Sequence, residues 1–176
     1  MFKSIWIIIL SALASLIYLP VGDGSFRITF GIVVLIAALH LFKPKHPVAL
    51  SFVTGLAIVI LRIAVDSFSI EMTSSIASSY LLEIPYYLGY AVVYDWAITT
   101  NRSAYPLPLV VALVLCDTGA NTIEYSLRNL AADTIWNSTS FYTILLAAFV
   151  RSVLIVFAVW AYQNTMSKKS TQKEEI

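Results

Sequence analysis

Apolar residues dominate this chain in long runs, separated by short polar clusters. A helix that crosses a bilayer needs about 17–25 such residues. Six stretches qualify, at 5–21, 26–42, 48–66, 76–98, 107–127 and 141–163. The connections between them are brief, at Asp23-Gly24-Ser25, Lys43-Pro-Lys-His-Pro47, the segment around Glu71, Thr100-Asn-Arg-Ser-Ala-Tyr-Pro106 and Ala131 to Ser140. Several hold the Pro or Gly that turns favour. The pattern predicts an all-α fold, a polytopic membrane protein built as a bundle of six transmembrane helices. Residues 1–163 form this domain, and 164–176 form a polar cytoplasmic tail.

Composition agrees. Of 176 residues, 59% are hydrophobic and only 12% charged, about half the charge of an ordinary soluble domain. The net charge of +1 gives no reason to expect a nucleic-acid partner. The run after Lys3 resembles a secretory signal, but it ends in Tyr18-Leu19-Pro20 without a small-x-small cleavage site. It reads as an uncleaved first crossing. Cys116 is the single cysteine, so no internal disulfide can form.

Basic residues set the direction. With the N-terminus inside, cytoplasmic segments hold Lys3, Lys43, Lys45, Arg102, Lys168, Lys169 and Lys173, against Arg27 and Arg128 outside. The external side also carries Asp23, Asp66, Glu71 and Asp133. Trp6, Trp96, Trp136 and Trp160 fall near span ends, where amphipathic rings sit well. Both termini are therefore expected in the cytoplasm of a multi-pass protein of the bacterial cytoplasmic membrane.

The charges inside the spans carry the functional signal. Each ionised group at the bilayer centre costs about 2.5–3.5 kcal/mol. Arg62, Glu83, Asp117, Glu124 and Arg151 lie within spans three to six. Unpaired, they would together cost on the order of 10 kcal/mol, as much as a whole folding free energy. They must face inward and pair. Asp117 and Arg151 each lie about 15 Å into their spans, which makes them the first expected pair. Arg62 is expected to cluster with Glu83 and Glu124, and Asp66, four residues on, is a competing local partner.

Two helical faces extend this set. Asp117, Asn121, Glu124 and Arg128 follow spacings of 4, 3 and 4, and so do Glu83, Tyr87, Tyr90 and Tyr94. Pro85 and Gly89 interrupt the second helix, and broken membrane helices often mark ligand sites. The candidate ligand-binding residues are Arg62, Glu83, Tyr87, Tyr90, Asp117, Asn121, Glu124 and Arg151. An acidic, tyrosine-lined surface suits a cation or an aromatic ring, while the two arginines suit a carboxylate. The competing reading makes the same groups helix-locking ion pairs.

Other signals are weaker. Ser11 and Ser15 permit close helix approach. His40 and His46 lack metal-ligand company and read as interfacial. Asn137-Ser-Thr is a formal glycosylation sequon. No HExxH, GxSxG, P-loop or GxGxxG motif is present. No enzymatic activity, metal or cofactor is expected.

The run GSFRITFGIVVLIAALHLFKPKHPVALSFVTGLAIVILRIAVDSF resembles the membrane-embedded input domain of certain Gram-positive bacterial sensor histidine kinases. The likeness continues through Glu83 and Pro85, the helix with Asp117, Asn121, Glu124 and Arg128, and the central Arg151-Ser152, over about residues 24–160. Those input domains are similar in layout to the substrate-binding S components of energy-coupling factor vitamin transporters. The resemblance implies a module that binds a small molecule from outside and relays it to a cytoplasmic kinase. That kinase would be a separate partner, or the chain a truncated input domain, because the family continues past QKEEI into dimerisation and ATP-binding domains. Its alternative is a transporter subunit served by energising partners. An S component would present an Ala-x-x-x-Ala surface in span one, for which Ser11 and Ser15 are the nearest equivalent.

Overall fold

The computed structural model describes residues 2–21, 26–68, 73–100, 107–131 and 140–174, with the backbone alone at 21, 26, 27, 74, 75 and 168–174. Asp23, Glu71, Arg102, Asp133, Trp136 and the Asn137 sequon lie outside the described residues. So do the side chains of Lys168, Lys169 and Lys173.

Among the described residues the chain is helical, with one small hairpin. Helices α1 (Phe2–Ala14), α2 (Phe30–Phe42), α3 (Pro47–Asp66), α4 (Ser74–Leu81), α5 (Ile84–Tyr94), α6 (Leu109–Leu130) and α7 (Phe141–Glu174) follow in order. A π-helical turn, Asp95–Thr100, extends α5. Among the described residues, α3 and the Phe141–Ser167 part of α7 are long and apolar enough to cross a membrane. The helix α6 has the length, with 22 residues, but carries Asp117, Glu124 and Arg128 within it.

The hairpin corrects the expected first two spans. Strands β1 (Tyr18–Val21) and β2 (Phe26–Thr29) pair antiparallel, Tyr18 opposite Thr29 and Val21 opposite Phe26. Span one therefore ends as a helix at Ala14, and span two begins as one at Phe30. Aromatic and β-branched residues around an Asp-Gly step favour this local hairpin over continued helix. The helix α2 stops at Lys43, which adopts the left-handed conformation (φ 42°) and returns its N–H to the Leu39 carbonyl. Pro47 then opens α3 without costing it a hydrogen bond.

Neighbours in space run α1, α2, α7, α6, α5, α3 and back to α1. The helix α2 is the most enclosed: Ile32, Val33, Leu35, Ile36, Ala37, Ala38 and Leu39 are all buried, as an all-round apolar helix requires. Along α7 the buried positions are Ile144, Ala147, Ala148, Arg151, Ser152, Ile155 and Val159, one face of a 3.6-residue period. The outward positions of α7 include exposed Phe149, Val153, Phe157 and Trp160.

The two ends of the bundle differ. At one, the Lys3 ammonium sits 5.9 Å from the centre of the Phe42 ring, and Phe42 stacks edge-on against Tyr162. His40 Nδ1 meets the Tyr94 hydroxyl at 3.0 Å near the same end, so this histidine is tied into the bundle beyond an interfacial role. The start of α1, the end of α2 and the outgoing part of α7 are thus neighbours. The hairpin and the last turns of α3 and α6 occupy the other end. Ser11 and Ser15 face inward, fully buried where α1 meets α2. A Cβ on Gly31 would lie 2.7 Å from Ser15 Cβ and 2.8 Å from the Ser11 carbonyl oxygen. The pair therefore serves close packing within the chain, not an outward partner surface.

Candidate functional site

Helices α3, α5, α6 and α7 turn their charged and tyrosine residues toward one another. Asp117 is fully buried, and Arg151 is 2% exposed. Arg151 donates from Nε to Asp117 Oδ2 at 2.7 Å and from Nη2 to Oδ1 at 2.6 Å, a two-pronged bond between α7 and α6. This is the expected pair. Asn121, one turn along α6, donates to the Asp117 carboxylate and to its backbone carbonyl (2.8 Å). Tyr86 adds a hydroxyl 3.4 Å from Oδ2 and sets its ring 5.5 Å from the Arg151 guanidinium. Tyr90 donates to the Leu113 carbonyl at 3.3 Å, fixing α5 on α6.

Toward the hairpin lies a second pair. Arg62 Nη1 donates to Glu83 Oε2 at 2.5 Å, and Nη2 reaches the Ser15 carbonyl at 3.0 Å. One guanidinium thus joins α3, the α4–α5 junction and the end of α1. The side chains of Arg62 and Glu83 are 11% and 20% exposed, making this pair more accessible than Asp117–Arg151. The junction itself follows from Pro85, which has no N–H for the Leu81 carbonyl four residues earlier. The chain leaves regular helix at Leu82 and Glu83, and Pro85 sits in the first turn of α5. Gly89 does not interrupt α5. An added Cβ there would meet Ile123 Cδ1 at 3.2 Å, so this glycine serves the contact with α6.

The expected cluster of Arg62, Glu83 and Glu124 needs correction. Glu124 accepts instead from Arg128 of its own helix, whose Nε and Nη2 lie 2.9 and 2.7 Å from Oε1. A partner four residues away on the same face is reached without any rearrangement between helices. Arg128 goes on to hold Ser79 of α4, at 2.7 Å to Oγ and 3.1 Å to the carbonyl. Asp66 is likewise not hydrogen-bonded to Arg62; it accepts from the Tyr80 hydroxyl. Glu124 nevertheless stays within electrostatic reach of Glu83, and Tyr87 lies in the fields of Arg62, Glu83 and Glu124. The hydrogen bonds therefore gather the candidates into separate groups, Arg62 with Glu83, Asp117 with Asn121 and Arg151, and Glu124 with Arg128, while Tyr87 and Tyr90 are fully buried.

Two contributors escaped the sequence pattern. Tyr86 lies beside the Glu83–Tyr87–Tyr90 stripe, yet it touches both members of the central pair. Its position 31 residues before Asp117 offers no helical spacing to find it by. Ser79 looks like one polar residue among several in Ser74–Leu81. Among the described residues, no group of three His, Cys, Asp or Glu side chains could hold a metal ion.

Comparison with known proteins brings no match: neither a protein-family model, nor a curated protein, nor a solved structure matches this chain.

Proposed function

We propose that this chain is a six-crossing membrane module with both termini in the cytoplasm. In this reading it binds a small molecule from the external side, at the patch around Arg62, Glu83, Tyr86, Asp117, Asn121 and Arg151, and relays binding to a cytoplasmic signalling partner. Its role is recognition and relay, without catalysis. The crossings are α1 and α2 with the hairpin between them, α3, the broken α4–α5 helix, α6 and α7.

One observation carries the reading. Arg151, locked two-pronged to Asp117, stands on a single 34-residue helix. At 1.5 Å per residue, α7 is about 50 Å long, some 20 Å more than the hydrocarbon thickness. Any change in how Asp117 holds Arg151 alters the packing of a rod that runs on out of the bundle beside Phe42 and the start of α1. The resemblance to sensor-kinase input domains points the same way. A second reading, ion pairs serving only to lock helices, is favoured by the saturation of Asp117, whose two oxygens already receive Arg151, Asn121 and Tyr86.

The full chain in lipid nanodiscs, scanned thermally against a panel of small amines, carboxylates and aromatic metabolites, separates these readings. The expected hit raises Tm and shifts the distance between spin labels at Met166 and Phe52, both exposed positions. Both effects disappear in Glu83→Gln. A panel without any hit sinks the binding role. A ligand that accumulates in vesicles holding an energising partner, leaving the label distance unchanged, assigns the patch to transport.

A further inference from the structure

The eight residues of α4 contribute little to the apolar core of the bundle. Neither hydrophobic cluster of the described residues includes a residue of α4. Among its described side chains only a polar one, Ser79, is buried, at 7% exposure, while Leu81 points outward at 52%. Among the described residues, its C-terminal half carries polar attachments to two other helices. Tyr80 donates to Asp66 at the end of α3, and Arg128 at the end of α6 holds Ser79 by both hydroxyl and carbonyl. Immediately beyond, the chain leaves regular helix at Leu82 and Glu83, ahead of Pro85.

We propose that α4 is a lid over the hairpin end of the polar patch, latched by the Tyr80–Asp66 and Ser79–Arg128 contacts and swinging on the Leu82–Glu83 break. Placement supports this. Through Arg128, Ser79 is tied to the Glu124 pair, whose side chains are both buried, so α4 is anchored at that pair. The attachment chemistry supports it too. Apolar burial has no preferred direction and holds over a range of positions, whereas a few hydrogen bonds release together and re-form in one geometry. Segments with few buried apolar contacts open at the low end of the local stability range. Lifting α4 uncovers Glu124 and Arg128 while the Asp117–Arg151 pair stays enclosed between α6 and α7. The lid is argued from these contacts and holds whether or not the patch relays a signal.

The test uses the full chain in nanodiscs, with Cys116→Ala and spin labels at Ser78 and Leu130, exposed positions on α4 and at the end of α6. A second labelled pair, at Val92 and Ile123, reports α5 against α6. In the parent protein the Ser78–Leu130 distance is expected to be single and narrow. Tyr80→Phe with Ser79→Ala removes two latch hydroxyls. It should add a longer distance there, leave the Val92–Ile123 distance unchanged, and speed amide exchange in α4 about tenfold. An unchanged Ser78–Leu130 distance overturns the lid. So does a change at both pairs, or loss of folding, because α4 would then be an integral part of the bundle. Loss of the ligand response with α4 still latching would count against the relay and not the lid.

Discussion

Asp117 and Arg151 form a more deeply buried ion pair than Arg62–Glu83 or Arg128–Glu124, bonded to each other through two prongs. Removing one charge strands the other in a medium that solvates it poorly. Asp117→Asn should therefore cost about 3–5 kcal/mol of stability, read from denaturant unfolding in mild detergent. The double replacement Asp117→Leu with Arg151→Met should recover most of that loss, since a well-packed apolar pair carries no desolvation penalty. It should also abolish any ligand response, which parts a recognition role from a locking one. Glycines give a second comparison. Gly31→Ala drives a methyl into the Ser11 backbone and should cost about 1–3 kcal/mol, whereas Gly119→Ala meets nothing within 4 Å and should gain up to about 1 kcal/mol in helix propensity. At this scale the sequence was readable where cost forced an answer. Five charges in apolar spans had to pair, and the depth of Asp117 and Arg151 identified the central pair. Glu124 was misassigned because Arg128 lay four residues along the same helix and needed no tertiary contact to reach it.

Among the elements, the α4–α5 break is the most consequential. Pro85→Ala would return an N–H to the Leu81 carbonyl and favour one continuous helix. It should straighten this helix, lengthen the Arg62–Glu83 contact and weaken binding of any ligand found for the patch. Isothermal titration with that compound, and the Ser78–Leu130 label distance, would register the change. An unaltered affinity would mean that the break has no part in recognition. The break itself was legible from Pro85. The hairpin was not, although Asp23-Gly24 between aromatic and β-branched residues is a turn signal. The apolar content of Ile17 to Val21 and Phe26 to Thr29 is the same whether the segments continue a helix or pair as strands. Hydrophobic run length cannot tell these apart, and local pairing of four residues with four decided it.

For the whole molecule, the gathering of Lys3, Phe42 and Tyr162 at one end predicts a definite topology. With Cys116→Ala as background, a membrane-impermeant thiol reagent added to intact cells should label Phe68→Cys, which is 92% exposed at the hairpin end. It should not label Lys43→Cys until the cells are opened. Labelling of both from outside would refute six crossings with internal termini. The hairpin has a further consequence under that topology. The thirteen residues of α1, and again of α2, supply only about 20 Å of helical rise, a third less than a typical hydrocarbon layer. Leu16, Ile17, Tyr18 and Leu19 stay exposed around the first strand, and the edge of a two-stranded sheet does not sit in acyl chains. Lipid beside this corner must thin to bring headgroups or water to that edge, while α3 and α7 ask for full thickness on their own flanks. The protein would thus sit in a wedge of unequal leaflet depth, with Tm highest in short-chain lipids and falling as the acyl chains lengthen.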